Sequence, residues 1–293
     1  MDKIIVEVGS TVTKVDKFNG EVVTSLDGKT IEFKKHLLER KTLLGSDVNE
    51  LIDLINSLKT ISQDIYVCGT SVFRSLDENI KTSFLDTIKT KTGYTFNIIS
   101  QEEESELTVI GATRFVKDRV CVFTAGGGST EITIYDKGIV ETVNTNIGVI
   151  DIMQKFPDLA DDIATSNVQD VKDYIKQRLN LPKGKSDILI LAGGAHEKFA
   201  RLSGVKFEDN NLYQDTKSPI MMDIETRKTE TERYFREISL DEIRSRVKDP
   251  KWWYATRAIM AVVLVVADAI DAKYVIPTDI AMVYGIVQKL SEK

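Results

Sequence analysis

The stretch that decides the fold lies at positions 125–131 and reads Ala125-Gly126-Gly127-Gly128-Ser129-Thr130-Glu131. An apolar run at 120–123 precedes it, and an alternating run at 132–135 follows it. This pattern predicts a strand, a glycine turn and a second strand. Consecutive glycines allow positive φ and a close backbone approach, and successive N–H groups in such a turn can bind an anion. A plain hairpin turn would also explain this stretch if it stood alone.

A shorter stretch near the N-terminus partly repeats the pattern. It runs from an apolar strand at 4–8 through Gly9, Ser10 and Thr11 into a second strand at 12–17. In both stretches Gly-Ser-Thr stands between two strands, and an Asp-Lys pair comes at the end of the second strand or directly after it. A phosphate-sized turn repeated once in each half predicts two duplicated domains that face each other across a cleft.

Composition limits the classes of partner and the expected location. The chain has 293 residues, enough for two domains, and 39 basic against 45 acidic residues give a net charge of −6. This balance argues against nucleic acid or a membrane surface as the main partner. No signal peptide is recognised, and the apolar run at 258–267 is too short to span a bilayer. Cys68 and Cys121 lie in apolar runs, so we expect buried thiols in a cytoplasmic protein.

Periodicity predicts alternating strands and helices along the chain. Asn19-Gly20 is typical of a hairpin turn, and a further strand is predicted near 31–33. Ser100 with Glu103 forms a capping-box pattern at a helix start, and capping does not account for Glu104 beside them. The polar, aperiodic stretch at 204–232 is predicted to be a mobile flap or an insertion.

A third glycine turn follows the apolar strand at 187–191. Gly193 and Gly194 lead there into a predicted helix. Such a turn can hold a nucleotide or phosphate at the helix N-terminus, and a tight turn without a ligand explains it equally well.

Taken in order, these motifs resemble those of the Ppx/GppA family of exopolyphosphatases and guanosine pentaphosphate phosphohydrolases. The matching segments are 6–10, 69–74, 98–104, 126–131, 147–148, 192–194, 233–243 and 278–279. The resemblance implies an α/β fold of two RNase H-like domains from the actin-like ATPase superfamily, with only this two-domain core. We expect domains at 1–116 and 117–293, with the last helix, about 279–293, packing back on the first domain.

The resemblance also implies an activity, which is hydrolysis of a terminal phosphoanhydride of polyphosphate or of guanosine penta- or tetraphosphate. Glu104 matches the residue that activates water, and Arg74 can fork onto phosphate oxygens. Glu7 and Glu131 match carboxylates of a site for Mg²⁺ or Mn²⁺. The expected phosphate-binding residues are Gly9, Ser10, Thr11, Gly127, Gly128, Ser129 and Thr130. A homodimer is among the assemblies we expect.

Several positions depart from the family pattern. Thr124 and Glu7 stand where the family has Asp, and Asp151 stands where it has Arg. A Thr hydroxyl is a poorer ligand for a hard cation, so we expect the metal to be weakly held. Two other functions stay open: a degenerate phosphate or nucleotide sensor, favoured by Thr124, and an ATP-dependent kinase of the same superfamily. The kinase reading lacks a clear sugar-site pattern.

Overall fold

The structure is a computed structural model that describes residues 2–114, 116, 118–193, 196, 200–201, 208–209, 220–245, 251–278 and 280–291. The chain divides into two compact units. We call Met1–Glu104 together with Ile286–Lys293 the first unit, and Ser105–Gly285 the second unit. The division falls inside a helix that precedes the predicted boundary at 116. The cleft between the domains stays a prediction.

The first unit contains a five-stranded sheet in the order β3-β2-β1-β4-β5. Its strands are β1 Lys3–Val8, β2 Val12–Phe18, β3 Val23–Thr30, β4 Ile65–Gly69 and β5 Phe96–Ile98. The first three strands form an antiparallel meander that includes the predicted Asn19-Gly20 hairpin turn, and β4 and β5 extend the sheet with parallel pairing. At the β2–β3 turn Gly20 has a φ of 101°, a conformation that glycine adopts without strain.

Helices of the first unit follow from its apolar periodicity. They are α1 Phe33–Arg40, α2 Gly45–Leu58 and α3 Glu78–Thr92, and α4 Gln101–Thr113 begins here and continues into the second unit. Apolar residues from one face of the sheet pack with α2 and α3 into one core, which includes Val6, Val67 and Leu51. This sheet face is therefore sealed by helices, and its other face carries the polar residues described below.

The strand predicted near 31–33 is wrong. β3 ends at Thr30, and Phe33 is the first residue of α1. The backbone N–H of Ile31 donates to Thr11 O at 2.9 Å, and that of Lys34 donates to Ser10 O at 2.9 Å. The buried Phe33 side chain packs into the core. The chain therefore turns into a helix here because its backbone groups are bonded to the β1–β2 turn.

The second unit repeats the strand order of the first. Its strands are β6 Val120–Ala125, β7 Thr130–Tyr135, β8 Ile139–Thr145, β9 Ile188–Ala192, β10 Glu208–Asp209, β11 Ile220–Asp223 and β12 Tyr274–Thr278. The order β8-β7-β6-β9-β12 matches β3-β2-β1-β4-β5, with β11 and β10 added beyond β12. The parallel and antiparallel pairings also correspond. The predicted duplication is thus confirmed by topology.

The helices of the second unit include one that is strongly apolar. They are α5 Val149–Lys155, α6 Val168–Lys176, α7 Ile224–Arg236, α8 Leu240–Ser245, α9 Thr256–Ile270 and α10 Met282–Ser291, whose last residues belong to the first unit. The apolar run at 258–267, predicted to be too short to span a bilayer, is part of the longer stretch Trp253–Ile270. Among the described residues this is the one stretch long and apolar enough to cross a membrane, and 78% of it is buried. It therefore serves as the core helix of this unit.

Arg257 in the first turn of α9 is fully buried. All five N–H groups of its guanidinium find backbone carbonyls as acceptors. The acceptors belong to Tyr234 at 2.6 Å, Leu159 at 3.1 Å, Asp161 at 2.6 Å, Asp162 at 2.6 Å and Ile238 at 3.0 Å. Full hydrogen bonding offsets the cost of burying this charge.

The flap or insertion predicted at 204–232 is wrong from residue 220 onward. β11 and α7 lie there, and 202–207 and 210–219 are outside the described residues. The Asp223 carboxylate caps α7 by accepting the Thr226 N–H at 2.9 Å. Arg227 and Glu230 are both buried and pair at 2.9 Å. The sequence of α7 lacks the apolar periodicity of a buried helix because this ion pair, rather than apolar side chains, occupies its inner face.

Candidate functional site

The first glycine turn joins β1 to β2. Val8 pairs with Thr13, so the turn consists of the four residues 9–12. The Gly9 N–H donates to Val12 O at 3.0 Å and closes it. A Cβ on Gly9 would stand 2.8 Å from Val12 O, so a side chain would strain the turn. Ser10 is 4% exposed, and its Oγ is buried without a hydrogen-bond partner. A buried unpaired hydroxyl is costly unless something binds it.

The second glycine turn joins β6 to β7 and is held by hydrogen bonds from the start of α5. The Gly126 N–H donates to Ser129 O at 3.0 Å. The first N–H groups of α5, on Val149 and Ile150, donate to Gly126 O at 3.0 Å and to Gly127 O at 3.1 Å. A Cβ on Gly148 would stand 2.4 Å from both Gly126 O and Gly128 N. This close approach explains why glycine stands at 148.

Thr130 braces this turn. Its Oγ1 donates to Ile147 O at 2.7 Å, so its hydroxyl hydrogen is already in use. Thr130 and Ser129 are both buried. Of the two predicted hydroxyl donors here, Thr130 thus holds the backbone in place.

The two turns align differently from their sequence echo. Since Val8 pairs with Thr13 and Ala125 pairs with Thr130, Gly126 takes the place of Gly9. The Gly-Ser-Thr sequence therefore lies two residues later in the second turn than in the first. By the same register Glu7 corresponds to Thr124, and Lys14 corresponds to Glu131.

Each unit carries one carboxylate in a corresponding cross-strand pair. In the first unit Glu7 on β1 lies opposite Lys14 on β2, and its Oε1 is 3.2 Å from Lys14 Nζ. The charge of Glu7 raises the pKa of Lys14. In the second unit Thr124 lies opposite the buried Glu131. The sequence analysis missed Lys14, whose role follows only from the strand register.

The carboxylates fit a divalent cation only in part. Glu7 Oε2 is buried without a hydrogen-bond partner, so it can serve as one oxygen ligand. Across the part of the chain that the structure describes, no group of three or more Asp, Glu, His or Cys residues is placed to hold a metal ion. The other ligands would have to come from phosphate oxygens and water.

Glu104 lies in the first turn of α4, where capping fixes the backbone. Ser100 Oγ accepts the Glu103 N–H at 3.1 Å, and Ser100 O accepts the Glu104 N–H at 2.9 Å. The Glu104 carboxylate is 15% exposed, and its Oε2 accepts a hydrogen bond from Arg74 Nη1 at 2.6 Å. The same nitrogen donates to Ile99 O at 3.1 Å. The carboxylate is thereby held between a helix start and a guanidinium.

Opposing effects set the acidity of Glu104. Burial is the largest effect and raises its pKa, while the charge and hydrogen bond of Arg74 lower it. The negative charge of Glu7 raises the pKa, and the positive charge of Lys14 lowers it. The net result is a pKa above the ordinary value. Such a carboxyl is a stronger base than an exposed glutamate once it is ionised.

The third glycine turn is described only at its start. Gly193 follows β9 with a φ of 73°, and its N–H donates to Thr278 O at 3.1 Å. Gly194 lies outside the described residues. The nucleotide-binding role of these glycines stays a prediction.

The duplicated strand order and the two glycine turns define a two-domain actin-like α/β protein. The model of the Ppx/GppA phosphatase family matches residues 37–281, and the chain belongs to this family. A solved exopolyphosphatase from Cytophaga hutchinsonii is 14% identical, covering 100% of this chain and 98% of the other, with a TM-score of 0.80. A PPX-GPPA enzyme from Aquifex aeolicus is 17% identical, covering 99% of each chain, with a TM-score of 0.74. At these identities the structural likeness shows the fold.

One curated relative is more similar in sequence over a shorter stretch. It is a bifunctional 3-dehydroquinate synthase/phosphatase from Fusobacterium nucleatum subsp. nucleatum, 28% identical over 180 residues. The match covers 52% of this chain and 27% of that protein. The chain therefore spans about a quarter of the length of this relative.

Proposed function

We propose that this member of a phosphatase family hydrolyses a terminal phosphoanhydride of polyphosphate or of guanosine penta- or tetraphosphate. The observation that carries the proposal is the Glu104 carboxylate, which is nearly buried, raised in pKa and fixed on the first turn of α4. Capping alone does not require a carboxylate at this position, because Ser100 already caps the helix through its own Oγ. A base with these properties suits the activation of water.

The chain supplies two further parts of such a reaction. The unpaired Ser10 Oγ in the first turn can donate a hydrogen bond to a phosphate oxygen. The Lys14 ammonium offers a positive charge in the same unit, near enough to Glu104 to affect its pKa. Phosphoryl transfer depends mainly on positioning and on neutralising charge, and these groups provide both. Glu104 takes the proton of the attacking water.

Mg²⁺ or Mn²⁺, when bound, would neutralise charge on the phosphate oxygens. In the first unit Glu7 would supply its unpaired Oε2. In the second unit the candidate ligand is the buried Glu131. Because Oε1 of Glu7 already pairs with Lys14, the protein contributes few anionic oxygens. We therefore propose that the cation binds weakly without substrate.

A phosphate or nucleotide sensor is the second candidate function. It is favoured by Thr124, which places a neutral hydroxyl opposite Glu131 where the family has Asp. A sensor would bind phosphate through the turns and release no product.

The test is phosphate release from polyphosphate, guanosine pentaphosphate and ATP, each with Mg²⁺ and with Mn²⁺. Glu104→Gln keeps the shape of the side chain and removes the base, so turnover should fall about 10²–10⁴-fold while phosphate binding persists. Glu102→Gln is the matched control, since Glu102 is exposed on the same helical turn. Undiminished turnover in Glu104→Gln would exclude this base, and binding without turnover in the wild type would favour the sensor.

A further inference from the structure

Arg74 is engaged with protein groups in this structure. Both N–H groups of its Nη1 are taken, one by Glu104 Oε2 at 2.6 Å and one by Ile99 O at 3.1 Å. The Arg74 side chain is 17% exposed. The family resemblance implied instead a fork onto phosphate oxygens.

The position of Arg74 explains this geometry. Arg74 follows the short 3₁₀ turn Ser71–Phe73 at the end of β4, and its N–H donates to Ser71 O at 3.0 Å. Phe73 beside it is fully buried among other aromatic rings. Ile99, whose carbonyl accepts from the guanidinium, is itself bonded to Gly69 O through its N–H at 3.0 Å. The backbone that carries Arg74 is therefore fixed by hydrogen bonds and by the packing of Phe73, and this holds the guanidinium against Glu104.

A partner of this kind is needed for a carboxylate in these surroundings. Glu7 on β1 is the other carboxylate whose charge acts on Glu104, and its effect disfavours ionisation of Glu104. Lys14 on β2 acts in the opposite direction, but it is paired with Glu7 and its side chain is 38% exposed. Arg74 is the cation in direct contact with Glu104. Its charge alone lowers the pKa of Glu104 more than the charge of Lys14 does, and its hydrogen bond lowers that pKa further.

We propose that Arg74 acts through Glu104, as a positioning residue that holds the carboxylate ionised and oriented on α4. This inference rests on the proposed function, because it takes Glu104 to be the base. It assigns phosphate binding to the turns and gives Arg74 a different task. A guanidinium suits this task because its planar fork can bond a carboxylate and a carbonyl together, whereas an ammonium lacks that geometry.

The first experiment measures ionisation and needs no turnover. The carboxyl carbons of ¹³C-labelled glutamates are titrated by NMR, with Glu104 assigned by its loss in Glu104→Gln. In Arg74→Gln the pKa of Glu104 should rise further, because burial and Glu7 are then opposed by Lys14 alone. Arg74→Lys should give an intermediate value. Arg119→Gln is the control, since Arg119 pairs with Asp136 at an exposed site. An unchanged Glu104 titration in Arg74→Gln would overturn the proposal.

The second experiment separates this role from direct phosphate binding. If Arg74 positions the base, Arg74→Gln should lower kcat about 10²-fold, with the acid limb of the pH profile moved to higher pH and phosphate affinity nearly unchanged. A loss of phosphate affinity of tenfold or more, measured by calorimetry with inorganic phosphate, would instead show that Arg74 holds the ligand. If the wild type hydrolyses none of the substrates, the proposed function fails, while the NMR titration still decides whether Arg74 controls Glu104.

Discussion

Asp16 offers a quantitative test of the electrostatics in the first unit. It lies on β2 between Ile5 on β1 and Ser25 on β3 and is 6% exposed. Burial raises its pKa from 3.8 to about 6, and the charge of Glu7 adds to this rise. Lys14 and a hydrogen bond with Ser25 oppose the rise. The folded protein therefore favours the protonated carboxyl.

The shift sets the size and the sign of the effect. A shift of about 2 units at about 1.36 kcal/mol per unit gives about 3 kcal/mol. Because the folded state binds this proton more tightly than the unfolded chain, the contribution is complete below pH 3.8 and is lost as pH rises through about 6. Asp16→Asn imitates the protonated form. The variant should therefore be more stable than wild type by up to about 3 kcal/mol at about pH 7.5.

The measurement is urea unfolding of wild type and Asp16→Asn at several pH values between about 4.5 and 7.5. The difference between the two free energies of unfolding should shrink as the pH falls. Asp86→Asn serves as control, since Asp86 is exposed on α3. If Asp16→Asn is no more stable than wild type at the higher pH, or if the difference does not change with pH, the reasoning fails.

Two further predictions concern the second turn. Gly148→Ala should lower the free energy of unfolding in urea by about 1–3 kcal/mol, because the added Cβ would stand 2.4 Å from backbone atoms of the turn. Gly138→Ala is the control and should leave the stability unchanged, because the space around Gly138 is open. Equal stabilities of the two variants would contradict this packing. Thr124→Asp should tighten Mg²⁺ binding in calorimetry, and without metal it should lower stability by about 0.2–1 kcal/mol through repulsion with Glu131 across the strands. Unchanged Mg²⁺ affinity would show that position 124 is not part of a metal site.

Elements with local signals were predictable from the sequence. The Asn19-Gly20 hairpin turn and the Ser100 cap each depend on residues a few positions apart, and the structure has both. The helix α7 was not predictable from apolar periodicity, because the ion pair of Arg227 with Glu230 replaces apolar residues on its buried face.

The candidate site was predictable only in its parts. The glycine turns and Glu104 were identified from motifs, whereas the register between the turns depends on strand pairing, which the repeated Gly-Ser-Thr letters misalign. The contact of Arg74 with Glu104 joins residues 30 positions apart. No local rule predicts such a contact, since it depends on how β4 and α4 pack together.

The carbonyls bound by Arg257 belong to segments far apart in sequence. Those of Leu159, Asp161 and Asp162 lie more than 90 positions from the arginine, and those of Tyr234 and Ile238 lie about 20 away. Opening any one segment would leave buried N–H groups of the guanidinium unsatisfied. These segments should therefore exchange their amide hydrogens together with α9, as one cooperative unit. The side chain of Arg257 thus determines which segments must unfold together.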